Sequence, residues 1–135
     1  MIFVDTGAFL ARHLARDEHH GSARRAWVEL ASTGWRVYTS NFVLDETFTL
    51  LARWTSYEFA AARAEAILAS SSLEILRPDA GDELAALELF RKFGDQQVSF
   101  TDCVAFALMK RSGIARAFAF DRHFVQAGFE LWPAL

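Results

Sequence analysis

The sequence predicts an α/β fold: a single domain with a central, mostly parallel five-stranded sheet and helices on both faces. Three observations carry this. Short β-like runs alternate with longer helix-like ones, the pattern of a parallel sheet wrapped by crossover helices. Glycines at 34, 94, 113 and 128 follow the helical patterns closely, as helix stops should. Two apolar runs, Ile2-Phe3-Val4 and Ala117-Phe118-Ala119-Phe120, each end on an aspartate, Asp5 and Asp121. A charge at the carboxyl edge of a buried strand stands where parallel sheets bind ligands.

In chain order, strands are expected near 2–5, 36–39, 73–76, 116–120 and 129–132. Helices are expected near 7–16, 20–33, 42–54, 57–71, 80–93 and 101–112, with a short one over Arg122 to Ala127. Pro78 breaks the chain and Asp79 can cap the helix opening at Ala80. Ala60 to Ala69 is alanine-rich, but Arg63 and Glu65 keep it an ordinary amphipathic helix of good propensity. Cys103 to Met109 is apolar all round, so that helix is buried and its polar start opens at a cleft. No linker, repeat or low-complexity tract interrupts the 135 residues.

Composition bounds the function. A hydrophobic share of 53% with 13 Phe fills a core without disulfides, and the single cysteine, Cys103, reads as a packing residue. No apolar run approaches the ~20 residues that span a bilayer. Strand-like residues from position 2 leave no room for a secretory leader, so no membrane association and a cytoplasmic location are expected. The net charge of −3 argues against a polyanionic partner. Setting aside Asp5, Glu46, Asp102 and Asp121 leaves 13 acids against 14 bases, 12 of them arginine, and a nucleic acid becomes tolerable if a cation neutralises the four.

These four acids are the candidate site. At about 100° per residue, Glu46 lies some 40° from Leu50 and Phe42 at the margin of the apolar arc, whereas Asp45 projects to water. A carboxylate on that margin costs several kcal/mol unless a cation or an arginine compensates it. Each aspartate has a competing local role. Asp102 stands three residues after Ser99, like the acid of a capping box, and Asp5 and Asp121 could cap the helices that follow them. Three such junctions together with an inward Glu point to convergence. Two carboxylates about 5 Å apart repel by roughly 3 kcal/mol at an effective dielectric near 20, so four in one pocket must protonate or gather cations. Oxygen-only ligands favour Mg²⁺ or Mn²⁺. Zinc has no ligand set here, and His13, His19, His20 and His123 read as solvated or phosphate-facing groups.

With these residues in place, the chain resembles a PIN domain of the VapC type, the toxin half of a bacterial toxin–antitoxin pair. The matching pieces are Ile2-Phe3-Val4-Asp5-Thr6-Gly7-Ala8, Asn41 to Glu46, Ser99-Phe100-Thr101-Asp102-Cys103, and Phe120-Asp121-Arg122-His123-Phe124 followed by Ala127-Gly128-Phe129. They span essentially the whole chain, and as an ordered set they are far more specific than Asp-Thr-Gly alone. The resemblance places the family's acidic quartet on Asp5, Glu46, Asp102 and Asp121, as catalytic residues and metal ligands. Thr6, Ser99 and Thr101 fall where that family has small hydroxyl residues near the metal or the substrate. It implies an endoribonuclease acting on structured tRNA or ribosomal RNA by metal-assisted in-line hydrolysis. It also implies a homodimer and a small antitoxin that blocks the acidic pocket. Arg12, Arg16, Arg24, Arg25, Arg122 and His123 are available for phosphate contacts, Arg122 first among them.

Two other readings compete. A metal-dependent phosphatase also places Asp at a strand end, but the Asp-x-Asp type needs a second acid where Gly7 stands, and a receiver domain needs an acceptor Asp where Thr39-Ser40-Asn41 offers none. A catalytically silent binding module would keep the fold and cleave nothing.

Overall fold

The computed structural model describes residues 1–134. Five strands form one sheet: β1 (Ile2–Val4), β2 (Val37–Ser40), β3 (Leu73–Leu76), β4 (Arg116–Phe118) and β5 (Glu130–Trp132). Their order is β3-β2-β1-β4-β5, and all four pairings are parallel. The helices are α1 (Thr6–His13), α2 (His20–Thr33), α3 (Asn41–Trp54), α4 (Tyr57–Leu68), α5 (Ala80–Lys92), α6 (Phe100–Ser112) and α7 (His123–Gln126). Strand side chains alternate between faces, yet Ile2, Phe3 and Val4 are all fully buried, so both faces of the central strand are covered.

The chain starts at the centre of the sheet, moves outward through β2 and β3, and returns to the other side of β1 for β4 and β5. That reversal between β1 and β4 is a topological switch point, where the flanking connections diverge and leave a crevice beyond the strand ends. The amide of Asp5 donates to Phe118 O at 3.0 Å, and Thr39 Oγ1 donates to Val4 O at 2.8 Å. The crevice floor is therefore stitched on both sides of β1.

Element types and order match the sequence expectation; several ends differ. Strands β1 and β4 stop at Val4 and Phe118 rather than at 5 and 120, so Asp121 lies beyond the ladder while Asp5 keeps only its amide bond to Phe118 O. Helix α1 ends at His13 instead of 16, because Leu14 turns extended and packs with Leu10 and Leu51 in a second apolar cluster. Helix α4 ends at Leu68 instead of 71. Gly34, Gly113 and Gly128 take the left-handed conformation expected of helix stops, at φ 73°, 70° and 95°. Gly94 does not. It opens a 3₁₀ turn (Gly94–Gln96), and Gln97 takes the positive φ of 56° instead.

Helix α6 is buried over every residue from Asp102 to Met109, as its all-round apolar pattern requires. Burial, then the nearby Asp102 charge, pushes the Cys103 thiol up to about 11, so this cysteine is an inert packing group at neutral pH. Its neighbour α5 opens on a reciprocal capping box between Asp79 and Asp82, and Arg111 Nε of α6 donates to Asp82 Oδ1 at 2.8 Å.

Candidate active site

The four acids selected from the sequence line one cleft of about 450 Å³ at the switch point. Each arrives by a different local rule. Asp5 leaves β1 and precedes α1 without a side-chain capping bond. Glu46 is half-buried on α3, whose start is fixed by the Ser40 hydroxyl accepting from the Val43 amide at 3.0 Å, while Asp45 is exposed. Asp102 lies in the first turn of α6, where its amide donates to Ser99 Oγ at 3.1 Å. Asp121 follows β4, and its Oδ1 accepts the His123 amide at 2.8 Å.

The competing capping roles thus divide. Asp121 has one local amide partner. Ser99 caps α6 as the capping-box reading expects, but the Asp102 carboxylate lines the cleft instead of returning the bond to the Ser99 amide. Asp5 Oδ1 and Thr6 Oγ1 are buried with no hydrogen-bond partner among the described residues. A buried carboxylate oxygen without a donor costs on the order of 1–3 kcal/mol or more, a cost that a proton or an external cation would offset.

The electrostatics agree. Burial above all, then the charge of Asp102, holds the Asp5 carboxyl well above its ordinary range; Asp121 and Glu46 add to this against the opposing Thr6 amide. Asp102 is pushed up to about 6, by burial first and by Asp121 next, with His123 pulling the other way. Carboxylates that resist ionising for want of positive charge fit a site for a divalent cation. A cation among these four acids would meet hard oxygen, which Mg²⁺ or Mn²⁺ accepts.

A nitrogen lies beside two of these acids. His123 Nδ1 lies 3.1 Å from Asp121 Oδ1 and 3.4 Å from Asp102 Oδ2. One donor atom from each of Asp102, Asp121 and His123 lies within 4.8 Å of the others. Read from sequence as a solvated or phosphate-facing group, His123 is instead three-quarters buried between two acids. Its position two residues after Asp121 was the available signal. Gln97 and Phe120 also line the cleft; the positive φ of Gln97 had no signal at all.

Among the residues expected near the metal, Thr6 and Ser99 line the cleft, whereas Thr101 is half-buried on α6 outside its lining. Arg122 is exposed and also outside it, and so are Arg16, Arg24 and Arg25. Arg12 belongs elsewhere: its guanidinium lies 4.6 Å from the centre of the Trp27 ring, at a second cavity of about 480 Å³ that Phe9, His13, Trp35 and Arg63 share. There burial, then Arg12 and Arg63, lowers His13 to about 4.

Comparison with known proteins places this geometry. The family described as PIN domain matches residues 2–130. The chain belongs to the PIN-domain family. Among its PIN relatives, the 23S rRNA-specific endonuclease VapC20 of Mycobacterium tuberculosis is 42% identical over 129 residues, covering 96% of this chain and 95% of that one. The VapC ribonuclease of Archaeoglobus fulgidus is 31% identical over 106 residues, covering 76% and 65%. The crystal structure of M. tuberculosis VapC20, described as a toxin cleaving the sarcin-ricin loop, superimposes with a TM-score of 0.86 at 40% identity and 96% coverage of both chains. VapBC-1 from nontypeable Haemophilus influenzae shares the PIN fold at a TM-score of 0.68 and 12% identity, over 97% and 96% of the two chains. The resemblance to VapC-type PIN domains stated from sequence is met.

Proposed function

We propose that this protein is a divalent-metal-dependent endoribonuclease, the toxin of a type II toxin–antitoxin pair, with Mg²⁺ or Mn²⁺ as its cofactor. The observation that carries the reading is the buried, unpartnered carboxylate oxygen of Asp5 in a cleft that Glu46, Asp102 and Asp121 also line. Kinship with an endonuclease at 42% identity over nearly the full length supports RNA as substrate, and ribosomal RNA ahead of tRNA.

Asp5, Asp102 and Asp121, with Glu46 at the margin, would hold the cation. When bound it supplies Lewis-acid polarisation of the phosphodiester and activation of water for in-line hydrolysis. The chain's own part is orientation. Ser99 fixes the first turn of α6 and so aims Asp102, and the Asp121–His123 turn fixes Asp121. Thr6 Oγ1, buried and unpartnered at the cleft, is the hydroxyl placed to contact a ligand held by Asp5. The buried helix α6 gives this constellation a rigid base.

A cognate antitoxin would act by covering the acidic cleft. Trp54, Tyr57 and Leu84 are large apolar side chains 57%, 83% and 65% exposed, and a homodimer that covers some of them is part of this reading, which sedimentation of the purified protein would test. Among the described residues no helix is long and apolar enough to cross a membrane.

The deciding experiment is cleavage of total RNA by purified protein with Mg²⁺ or Mn²⁺, with EDTA, and as Asp5→Asn and Asp102→Asn variants that remain folded. Cleavage is expected only in the metal-loaded wild type, and mapping of new 5′ ends names the target. Metal-independent cleavage, or full activity in both variants, overturns the reading. Partner binding without cleavage of any RNA would favour the silent binding module.

A further inference from the structure

We propose that His123 is a nitrogen ligand of the cation held by Asp102 and Asp121, and that it gives this site a preference for Mn²⁺ over Mg²⁺. The inference rests on the metal-site reading above and goes beyond it, since the acids alone would form an all-oxygen site.

The turn after β4 sets the geometry. The His123 amide donates to Asp121 Oδ1 at 2.8 Å, which holds residues 121 and 123 with both side chains toward the cleft. From there His123 Nδ1 reaches Asp121 Oδ1 at 3.1 Å and Asp102 Oδ2 at 3.4 Å. Neighbouring ligands of an octahedral ion with bonds of about 2.1 Å stand roughly 3 Å apart, so these separations suit adjacent corners of one coordination shell. Asp5 Oδ1 gives an independent sign that the cleft expects a ligand: it is buried, its residue lines the same cleft, and no donor among the described residues meets it.

Chemistry then decides the preference. Mg²⁺ is hard and takes oxygen almost exclusively, whereas imidazole suits later first-row ions, with Mn²⁺ the member of that series that also accepts carboxylate and water. Ligation requires the tautomer with the proton on Nε2, in which the Nδ1 lone pair meets the cation in place of its present contacts with the two carboxylates. The alternative is that His123 merely bridges the acids until a cation displaces it, in which case removing the imidazole leaves Mn²⁺ affinity unchanged or raises it.

The test is spectroscopic and needs no RNA. Mn²⁺ is titrated into metal-free wild type and His123→Ala, with free ion followed by electron paramagnetic resonance and Mg²⁺ as competitor. Pulsed measurements on the loaded proteins read hyperfine coupling to nitrogen. Expected is a ¹⁴N coupling in wild type that changes on ¹⁵N-histidine labelling and vanishes in His123→Ala. Mn²⁺ affinity should fall about tenfold or more, at least the loss typical of an outer-shell partner, while Mg²⁺ affinity falls less. His123→Gln, which keeps polarity and much of the volume, replaces the alanine variant if that one fails to fold. Absence of a histidine coupling in the loaded wild type, or equal Mn²⁺ affinity with and without the imidazole, overturns the proposal. RNA cleavage without nitrogen coupling would keep the nuclease reading and discard this one; coupling without cleavage would do the reverse.

Discussion

The carboxylates of Asp5 and Asp102, 97 positions apart in sequence, meet in one cleft, and the charge on Asp102 raises the proton affinity of Asp5. Four elements must agree to bring this about: the end of β1, the capped start of α6, the margin of α3 and the turn after β4. The repulsion they create is a cost to the metal-free fold, with measurable consequences.

The first concerns pH. Asp102 titrates at about 6 in the folded protein against an ordinary value of 3.8, so its favourable contribution is complete below 3.8 and is lost as pH rises through 6. Metal-free protein should therefore gain from this group between pH 7.5 and 5. Asp102→Asn removes the dependence and should stabilise the metal-free protein at pH 7.5 by about 2–3 kcal/mol, from ~1.4 kcal/mol per pKa unit. Urea unfolding of both proteins at the two pH values reads this out. A variant less stable than wild type at pH 7.5 contradicts it.

Adding Mn²⁺ should reverse the wild-type penalty. Saturation at about 100 times Kd stabilises by roughly 2.7 kcal/mol, seen as a rise in Tm that EDTA abolishes. Asp5→Asn should lose most of that rise while staying folded. An equal rise in the variant would show that the ion binds away from Asp5.

Away from the cleft, Arg111→Ala leaves Asp82 without the guanidinium that meets its Oδ1 at 2.8 Å, although the Asp79 amide still donates to it. Arg111 is half exposed, so the loss should be modest, about 1–2 kcal/mol in denaturant unfolding. Cleavage per folded molecule should be unchanged. A loss of activity without a loss of stability would place Arg111 in the site's machinery.

Two serine caps separate stability from function. Ser99 Oγ accepts from the Asp102 amide and Ser56 Oγ from the Phe59 amide, each at 3.1 Å. Alanine at either should cost about 1 kcal/mol. Only Ser99→Ala should also weaken Mn²⁺ binding, because only that turn aims a site carboxylate. Equal binding by both variants would mean that α6 holds Asp102 without its cap.

The sequence alone determined the alternation of strands and helices, the buried helix behind Asp102, and the side of α3 that carries Glu46. These are set by periodicity and by glycine stops, which are local and act through each element's own geometry. It also picked out the four acids, because a charge that ends an apolar run is conspicuous wherever the chain later travels. The tertiary structure decided what they meet. Asp102 turned to the cleft instead of returning the capping bond of Ser99, Asp5 was left with a donorless oxygen, and His123 entered the cleft while Arg122 and Thr101 stayed out. Each outcome depends on where β1 and β4 stop and on which way the next turn faces. Those choices are made by pairing and packing between distant segments, and no local pattern records them.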